Sequence, residues 1–161
     1  MAKRYLHEAE SDEFDHFLGG MISVSISRLT VVELRCLLGR RRRNHDIDAS
    51  AELRVVTAFE EDIAQGFLEV HPLEDQHAIR ACDLLIRLAN VPLRTLDALH
   101  LAIATGINAS AVATADETFA AAAAALRLSV EWFGAAKRSG RKRVTSFNKV
   151  REKTLPGKKN E

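Results

Sequence analysis

The sequence predicts an α/β domain in which helices flank a mainly parallel sheet. Four short segments have the alternating or β-branched pattern of strands. The longer segments between them repeat apolar residues at helical spacing. Strands that alternate with helices are typical of parallel sheets. The chain has 161 residues, 47% hydrophobic and 28% charged, and is therefore long enough for one domain with its own core.

The four predicted strands are short and well separated along the chain. The first, ISVSI, alternates apolar residues with serine, and the second is followed by a His-Pro pair. The last contains Trp132, which we expect in the core. The predicted strands are residues 22–26, 67–70, 111–115 and 128–133.

Helices are predicted before, between and after these strands. Gly19-Gly20 ends the first helix and Thr30 opens the second. Asp48 caps the third helix, and Thr95 caps a central one, TLDALHLAIA. The predicted helices are residues 1–20, 30–43, 49–65, 74–89, 95–104 and 116–127.

The spacing of apolar residues also predicts which helix faces are buried. The residues expected to point inward are Leu53, Val56 and Phe59 on the third helix, Ile79, Cys82, Leu85 and Ile86 on the fourth, and Leu96, Leu99, Ile103 and Ile107 along the central one.

The charge of the chain is distributed unevenly. Residues 137–161 contain ten Lys or Arg and two Asp or Glu, a net charge of +8, whereas residues 1–136 carry −7. Apolar periodicity also ends beyond Gly134. We therefore predict a folded domain over 1–136 and a basic, flexible tail over 137–161. The tail's charge favours RNA or an acidic partner, and a solvated extension is the alternative.

The sequence predicts a cytoplasmic protein that does not insert into membranes. No apolar run reaches the ~18 residues that a membrane helix needs. The first residues lack the apolar region of a signal peptide. Cys36 and Cys82 have no metal-like spacing, so we expect buried free thiols, which suit a reducing compartment.

Three acidic residues lie at junctions between predicted elements. Glu33 follows the first strand, Asp97 lies in the first turn of the central helix, and Asp116 follows the third strand. The functional crevice of a parallel sheet lies beyond the carboxyl ends of its strands, so we expect these side chains at one edge. Clustered carboxylates repel each other unless a cation neutralises them. Mg²⁺ and Mn²⁺ prefer oxygen ligands and assist phosphodiester cleavage.

Each of these residues also has a purely structural interpretation. Thr30 and Glu33 have the spacing of a capping box, Asp97 can complement the helix dipole, and Asp116 can be an ordinary N-cap. An α/β domain whose carboxylates are only caps is therefore one hypothesis for this chain. A serine nucleophile is not indicated, since the sequence has no Gly-x-Ser-x-Gly elbow.

Three segments carry a resemblance to a known family. They are LTVVELRCLLGRR around Glu33, TLDALHLAIA around Asp97 and VATADETFAAAA around Asp116. Over residues 1 to 133 the chain resembles the PIN-domain family, and within it the VapC-like ribonuclease toxins of toxin–antitoxin systems. The resemblance implies a PIN-like three-layer sandwich with a mainly parallel sheet between helices.

The resemblance also implies a function. It implies a Mg²⁺- or Mn²⁺-dependent endoribonuclease that acts on RNA, forms a homodimer and is inhibited by a small antitoxin protein. Carried over by position, Glu33, Asp97 and Asp116 are the catalytic metal ligands. Thr114 would orient a ligand or a water molecule, and an ordinary strand residue is the alternative for that position.

One feature of the family pattern is not seen in the printed sequence. The family begins with a short apolar strand that carries the first catalytic aspartate and lies mid-sheet. Here the sequence opens on the helix that follows that strand, and Asp12 and Asp15 fall within this helix. We therefore expect a missing central strand, with the strands at 22–26 and 111–115 free to pair directly, and impaired activity. The alternative function is a non-catalytic PIN-like module that engages an antitoxin or RNA.

Two further features have competing interpretations. Arg40, Arg41, Arg42 and Arg43 end the second helix, where they can contact RNA phosphates or form a solvated last turn that complements the dipole. His100 lies one turn after Asp97, and it either approaches the acidic site or is an ordinary helix histidine.

Overall fold

A computed structural model of the chain describes residues 2–6 and 11–134. The predicted tail, 137–161, and parts of the first predicted helix lie outside the described residues. No helix of the described residues is both long and apolar enough to cross a bilayer. The helices are α1 (Ala2–Tyr5), α2 (Ser11–Leu18), α3 (Arg28–Arg43), α4 (Ala49–Ala64), α5 (Asp75–Arg87), α6 (Thr95–Gly106) and α7 (Glu117–Ala125), and the strands are β1 (Val24–Ser27), β2 (Leu68–His71), β3 (Ala111–Thr114) and β4 (Ser129–Trp132).

The four strands form two parallel pairs. β1 pairs with β2 so that Val24 faces Leu68 and Ser27 faces His71, and β3 pairs with β4 in the same sense. The predicted α/β class is confirmed, and every strand begins and ends within two residues of its predicted bounds. Within the described residues β1 and β3 do not pair. The expectation that these two strands close directly on each other is therefore wrong.

The first strand pair is covered by α3 and α4. Asp48 caps α4 as predicted, because its carboxylate accepts a hydrogen bond from the backbone N–H of Ala51. Leu53 was expected to point inward but is 66% exposed, and Val55 is buried instead. Apolar residues on both sides of α4 made the two faces hard to distinguish from spacing alone. The buried cluster here is Ile26, Leu34, Leu38, Val55, Val56, Phe59 and Leu68.

The second strand pair is covered by α5, α6 and α7. Alanines of both α6 and α7 contribute to one buried cluster. On α6 the prediction holds for Ile103, which is buried, but Leu96 is 46% exposed and Leu101 is fully buried. The buried cluster here is Ala81, Leu84, Ala98, Leu101, Ala102, Ala122 and Ala123.

The predicted orientation of α5 is wrong. Its buried residues are His77, Ala81 and Leu84, because these face α6. The four residues expected inward are exposed, and the most exposed large side chain among them is Ile86, at 76%. Both cysteines are exposed free thiols rather than buried ones, since each lies on the outward face of its helix. The residues concerned are Ile79, Cys82, Leu85 and Ile86 on α5 and Cys36 on α3.

A small aromatic cluster connects the two halves. Phe14 and Leu18 of α2 pack against Phe133, which follows β4, with ring centroids of the two phenylalanines 5.0 Å apart. Val24 of β1 also packs against this cluster. Trp132, expected in the core, is 37% exposed because the aromatic contact is made by its neighbour in the chain.

Candidate active site

The first turn of α6 holds Asp97. The N-cap is Arg94, whose side chain makes no capping hydrogen bond, so the expectation that Thr95 caps this helix is wrong. The backbone N–H of Arg94 instead donates to the Asp97 carboxylate. A carboxylate at the third helical position that reaches back to the N-cap satisfies one of the unpaired donors of the first turn.

Asp97 and Asp116 lie close enough for their charges to interact. The pKa of Asp97 is raised above its ordinary value, first because partial burial penalises the charged carboxylate and second because Asp116 repels it. The Arg94 hydrogen bond and the charges of His100 and Arg94 act in the opposite direction but do not cancel the increase. The fold therefore holds two mutually repelling carboxylates at this position.

Asp116 is held by hydrogen bonds on both sides. Its carboxylate caps α7 by accepting a 2.8 Å hydrogen bond from the backbone N–H of Phe119, so the N-cap interpretation is correct for its geometry. Its own backbone N–H donates to Thr114 Oγ1 at 3.0 Å. Thr114, at the end of β3, thus fixes the backbone of Asp116. One carboxylate oxygen of Asp116 is used in the cap, and the group keeps further lone pairs for a cation.

Glu33 does not form a capping box. The N-cap of α3 is Ser27, whose Oγ accepts from the backbone N–H of Thr30, so the helix begins two residues earlier than predicted. Glu33 Oε2 instead accepts a 2.8 Å hydrogen bond from His100 Nε2. The structural interpretation that the sequence offered for Glu33 therefore does not apply.

His100 connects Glu33 to the end of β1. Its Nδ1 lies 2.9 Å from Ser27 Oγ. Nε2–H donates to Glu33, and Nδ1 and the Ser27 hydroxyl share the second hydrogen bond. His100 is one turn from Asp97 on α6, so both side chains point to the same side of the helix. The sequence alone could place His100 beside Asp97 but not opposite Glu33.

The three predicted ligands are only partly brought together. Asp116 acts on Asp97 through its charge, whereas Glu33 reaches the same helix through a hydrogen bond to His100. Within the described residues, no three His, Cys, Asp or Glu side chains are arranged as a group that could hold a metal ion. The donor chemistry nevertheless fits a hard cation, because Mg²⁺ sites need only one or two carboxylates, with water supplying the rest. A cation would also relieve the repulsion that raises the pKa of Asp97.

The four consecutive arginines lie away from this site. Arg40, Arg41, Arg42 and Arg43 form the last turn of α3, about 10 Å or more along the helix axis from Glu33. Arg42 Nη1 forms an exposed 2.9 Å ion pair with Glu52 of α4. This position agrees with a turn that complements the helix dipole. Contact with RNA stays a prediction.

The three acidic side chains lie near the ends of parallel strands, on helices that flank the two strand pairs. The model of the PIN domain family matches residues 4–125, which include Glu33, Asp97 and Asp116. The chain belongs to the PIN domain family. PIN domains generally use divalent metals. Comparison with curated proteins and with solved structures found no match.

Proposed function

We propose that this protein is a VapC-like toxin that cleaves RNA with the help of Mg²⁺ or Mn²⁺. The observation that carries the proposal is the pairing of Asp97 with Asp116. A fold that holds a partly buried carboxylate against a second negative charge is destabilised by it, and sites of this kind are commonly functional. The family assignment supports a nuclease rather than another metal-dependent activity.

In this proposal Asp97 and Asp116 hold the divalent ion, and Glu33 is the third ligand. The ion supplies an activated water and neutralises the charge that develops on the phosphate. Ser27 and His100 position the Glu33 carboxylate through the two hydrogen bonds described above. Thr114 fixes the backbone of Asp116 and so orients that carboxylate.

A further acidic ligand is implied by the family pattern, on a strand between β1 and β3. The two strand pairs of the described residues support this proposal, since β1 and β3 each lack a strand partner on one side. Backbone groups at such an edge are available for pairing.

The second candidate is a PIN-like module that binds RNA or an antitoxin without cutting. The observation that favours it is the state of Glu33, whose carboxylate is tied to His100 rather than grouped with the two aspartates. By resemblance we further propose a homodimer, a small antitoxin partner and a cytoplasmic location. Sedimentation of the purified chain, alone and with its candidate antitoxin, tests the first two.

Removal of divalent metal is expected to abolish RNA cleavage. A mixed pool of end-labelled structured RNAs is incubated with the purified chain in Mg²⁺, in Mn²⁺ and after treatment with a chelator. We expect discrete cleavage products with either ion, no products with chelator, and recovery when Mn²⁺ is restored in excess. The incubation with chelator is the control for contamination, because a contaminating metal-independent ribonuclease still cuts the RNA there.

The other outcomes separate the two candidates. Saturable RNA binding without products in any metal supports the non-catalytic module. Equal cleavage by the wild-type chain and by Asp97→Asn in every metal condition contradicts both the metal-dependent mechanism and the proposed roles of Asp97 and Asp116.

A further inference from the structure

A cavity of about 210 Å³ lies at the other end of α6 from the acidic site. Near its start, α6 contacts the end of β1 through His100 and Ser27. At its end, Gly106 lines the cavity together with His71, which is the register partner of Ser27 on β2. The cavity and the acidic site therefore lie along one helix and beside the ends of two paired strands. Asp97 and Gly106 are about 13 Å apart along the helix axis.

The cavity contains a buried histidine with an unused donor. His77 is only 7% exposed, and its Nδ1 accepts a 3.0 Å hydrogen bond from the backbone N–H of Glu74. The neutral ring therefore carries its proton on Nε2. None of the described residues accepts a hydrogen bond from this Nε2–H. In the described part of the chain every fully enclosed side-chain polar atom has a partner, so Nε2 is not fully enclosed. Nε2 is thus open to the cavity, where a ligand can accept its proton.

The remaining lining favours a flat, uncharged ring. Pro72 and Ile107 supply apolar surface, and the Arg80 guanidinium supplies a planar cation whose Nη1 lies 3.5 Å from the carbonyl of Ala102. The Glu74 carboxylate also lines the cavity and offsets the charge of Arg80. A free anion is therefore not favoured. Proteins bind unstacked bases of single-stranded RNA by stacking them on histidine rings or Arg guanidinium planes and by hydrogen-bonding their edges, and this lining has both kinds of side chain.

Gly106 keeps the donor accessible. A Cβ at this position would lie 2.9 Å from Arg80 Nη1 and 3.4 Å from His77 Nε2. Glycine inside a helix normally costs about 0.5–1 kcal/mol relative to alanine. Here the missing side chain leaves room beside the imidazole.

We propose that this cavity binds one unstacked nucleobase of the RNA substrate, at a fixed distance along α6 from the Asp97–Asp116 site. His77 donates from Nε2 to an acceptor on the edge of the base, and Arg80 stacks on or hydrogen-bonds to it. The proposal rests on the proposed function, because it treats RNA as the ligand. A base bound in this cavity fixes the RNA at a set distance from the acidic site, and the cavity thereby selects where the RNA is cut.

The test uses two variants that change the cavity and spare the fold. Gly106→Leu fills the cavity, and Gly20→Leu is the matched control, because Gly20 is exposed and a Cβ there makes only an ordinary 3.6 Å contact with the Phe17 carbonyl oxygen. His77→Gln removes the imidazole donor but keeps a side-chain acceptor at the third helical position, where glutamine normally completes a capping box. The probe is a set of short fluorescent single-stranded RNAs, each with one abasic nucleotide at a different position. Binding is measured by anisotropy in chelator, so that the RNA is not cut.

We expect one abasic position to weaken binding to the wild-type chain by about tenfold, within the range found for loss of one stacked base. Gly106→Leu and His77→Gln are expected to weaken binding of the intact RNA by a similar factor and to be insensitive to that abasic position. Gly20→Leu should behave as the wild type. Equal binding by all variants, or competition by inorganic phosphate at millimolar concentration, overturns the base pocket.

Cleavage of the same RNAs in Mn²⁺ separates this proposal from the proposed function. Metal-dependent cutting without any dependence on the abasic position refutes the pocket and leaves the nuclease in place. Base-dependent binding without cutting supports the pocket and refutes the nuclease.

Discussion

Replacing Asp97 with asparagine is expected to raise the stability of the metal-free protein and to abolish its activity. The pKa of Asp97 is raised in the folded state by burial and by Asp116. A group of this kind contributes stability below its unfolded-state pKa, and the contribution is lost as the pH rises through the folded-state pKa. At pH 7 the charged Asp97 therefore opposes folding. Asparagine keeps the shape and the acceptor for the Arg94 N–H without the charge.

The expected results are a higher Tm than the wild type at pH 7 in chelator and no increase at pH 3, where Asp97 itself is protonated. Metal-dependent RNA cleavage should fall by at least about a hundredfold, because a lost metal ligand removes several kcal/mol of transition-state stabilisation. Thermal denaturation followed by circular dichroism and a gel-based cleavage assay measure the two effects. Asp83→Asn, an exposed change on α5, is the matched control. A lower Tm for Asp97→Asn at pH 7, or unchanged cleavage, contradicts the assignment.

Replacing Leu101 with alanine is expected to destabilise the protein by about 2–5 kcal/mol. Leu101 is fully buried on α6, in the cluster that joins α5, α6 and α7. The other buried members of its cluster are mostly alanines, whose short side chains cannot move into the space that the substitution leaves. For a domain of this size we expect Tm to fall by about 5–15 °C. Urea denaturation at pH 7 measures the free energy of unfolding directly.

The matched control for Leu101 is Leu96→Ala on the same helix. Leu96 is 46% exposed, so its truncation should cost less than about 1 kcal/mol. The sequence alone ranks these two residues the other way, because Leu96 belongs to the predicted apolar stripe and Leu101 does not. If Leu96→Ala is the more destabilising change, α6 is turned differently from the arrangement described here.

The sequence was sufficient to predict the class of fold, because the strand segments and the caps are encoded locally. The alternation of 24–27 and the Asp48 cap do not depend on distant residues. The direction in which α5 faces could not be predicted, since it carries apolar residues on two sides and packing against α6 selects one of them. The predicted burial of Ile86 and Cys82 is wrong for that reason. Whether β1 pairs with β3 likewise depends on contacts between distant segments, and within the described residues the two strands do not pair.

The acidic residues of the candidate site are named from the sequence and stay a prediction, whereas the hydrogen-bond partners that the structure gives them could not be predicted. Asp97 and Asp116 lie where local spacing and the parallel-sheet rule predict. The link from Glu33 to His100 joins residues 67 positions apart, and nothing in the local sequence of either indicates it. In the sequence His77 is an ordinary histidine near the start of a helix. The structure shows that its second ring nitrogen is open to a cavity.

Titration of the metal-free chain with Mn²⁺, followed by calorimetry at pH 7, tests the central claim most directly. The wild-type chain is compared with Asp116→Asn, in which asparagine still caps α7 but no longer carries a negative charge beside Asp97. We predict saturable Mn²⁺ binding to the wild type and its loss in the variant, with both proteins folded by circular dichroism. Equal binding by both proteins, or none by either, would contradict a divalent cation held between Asp97 and Asp116.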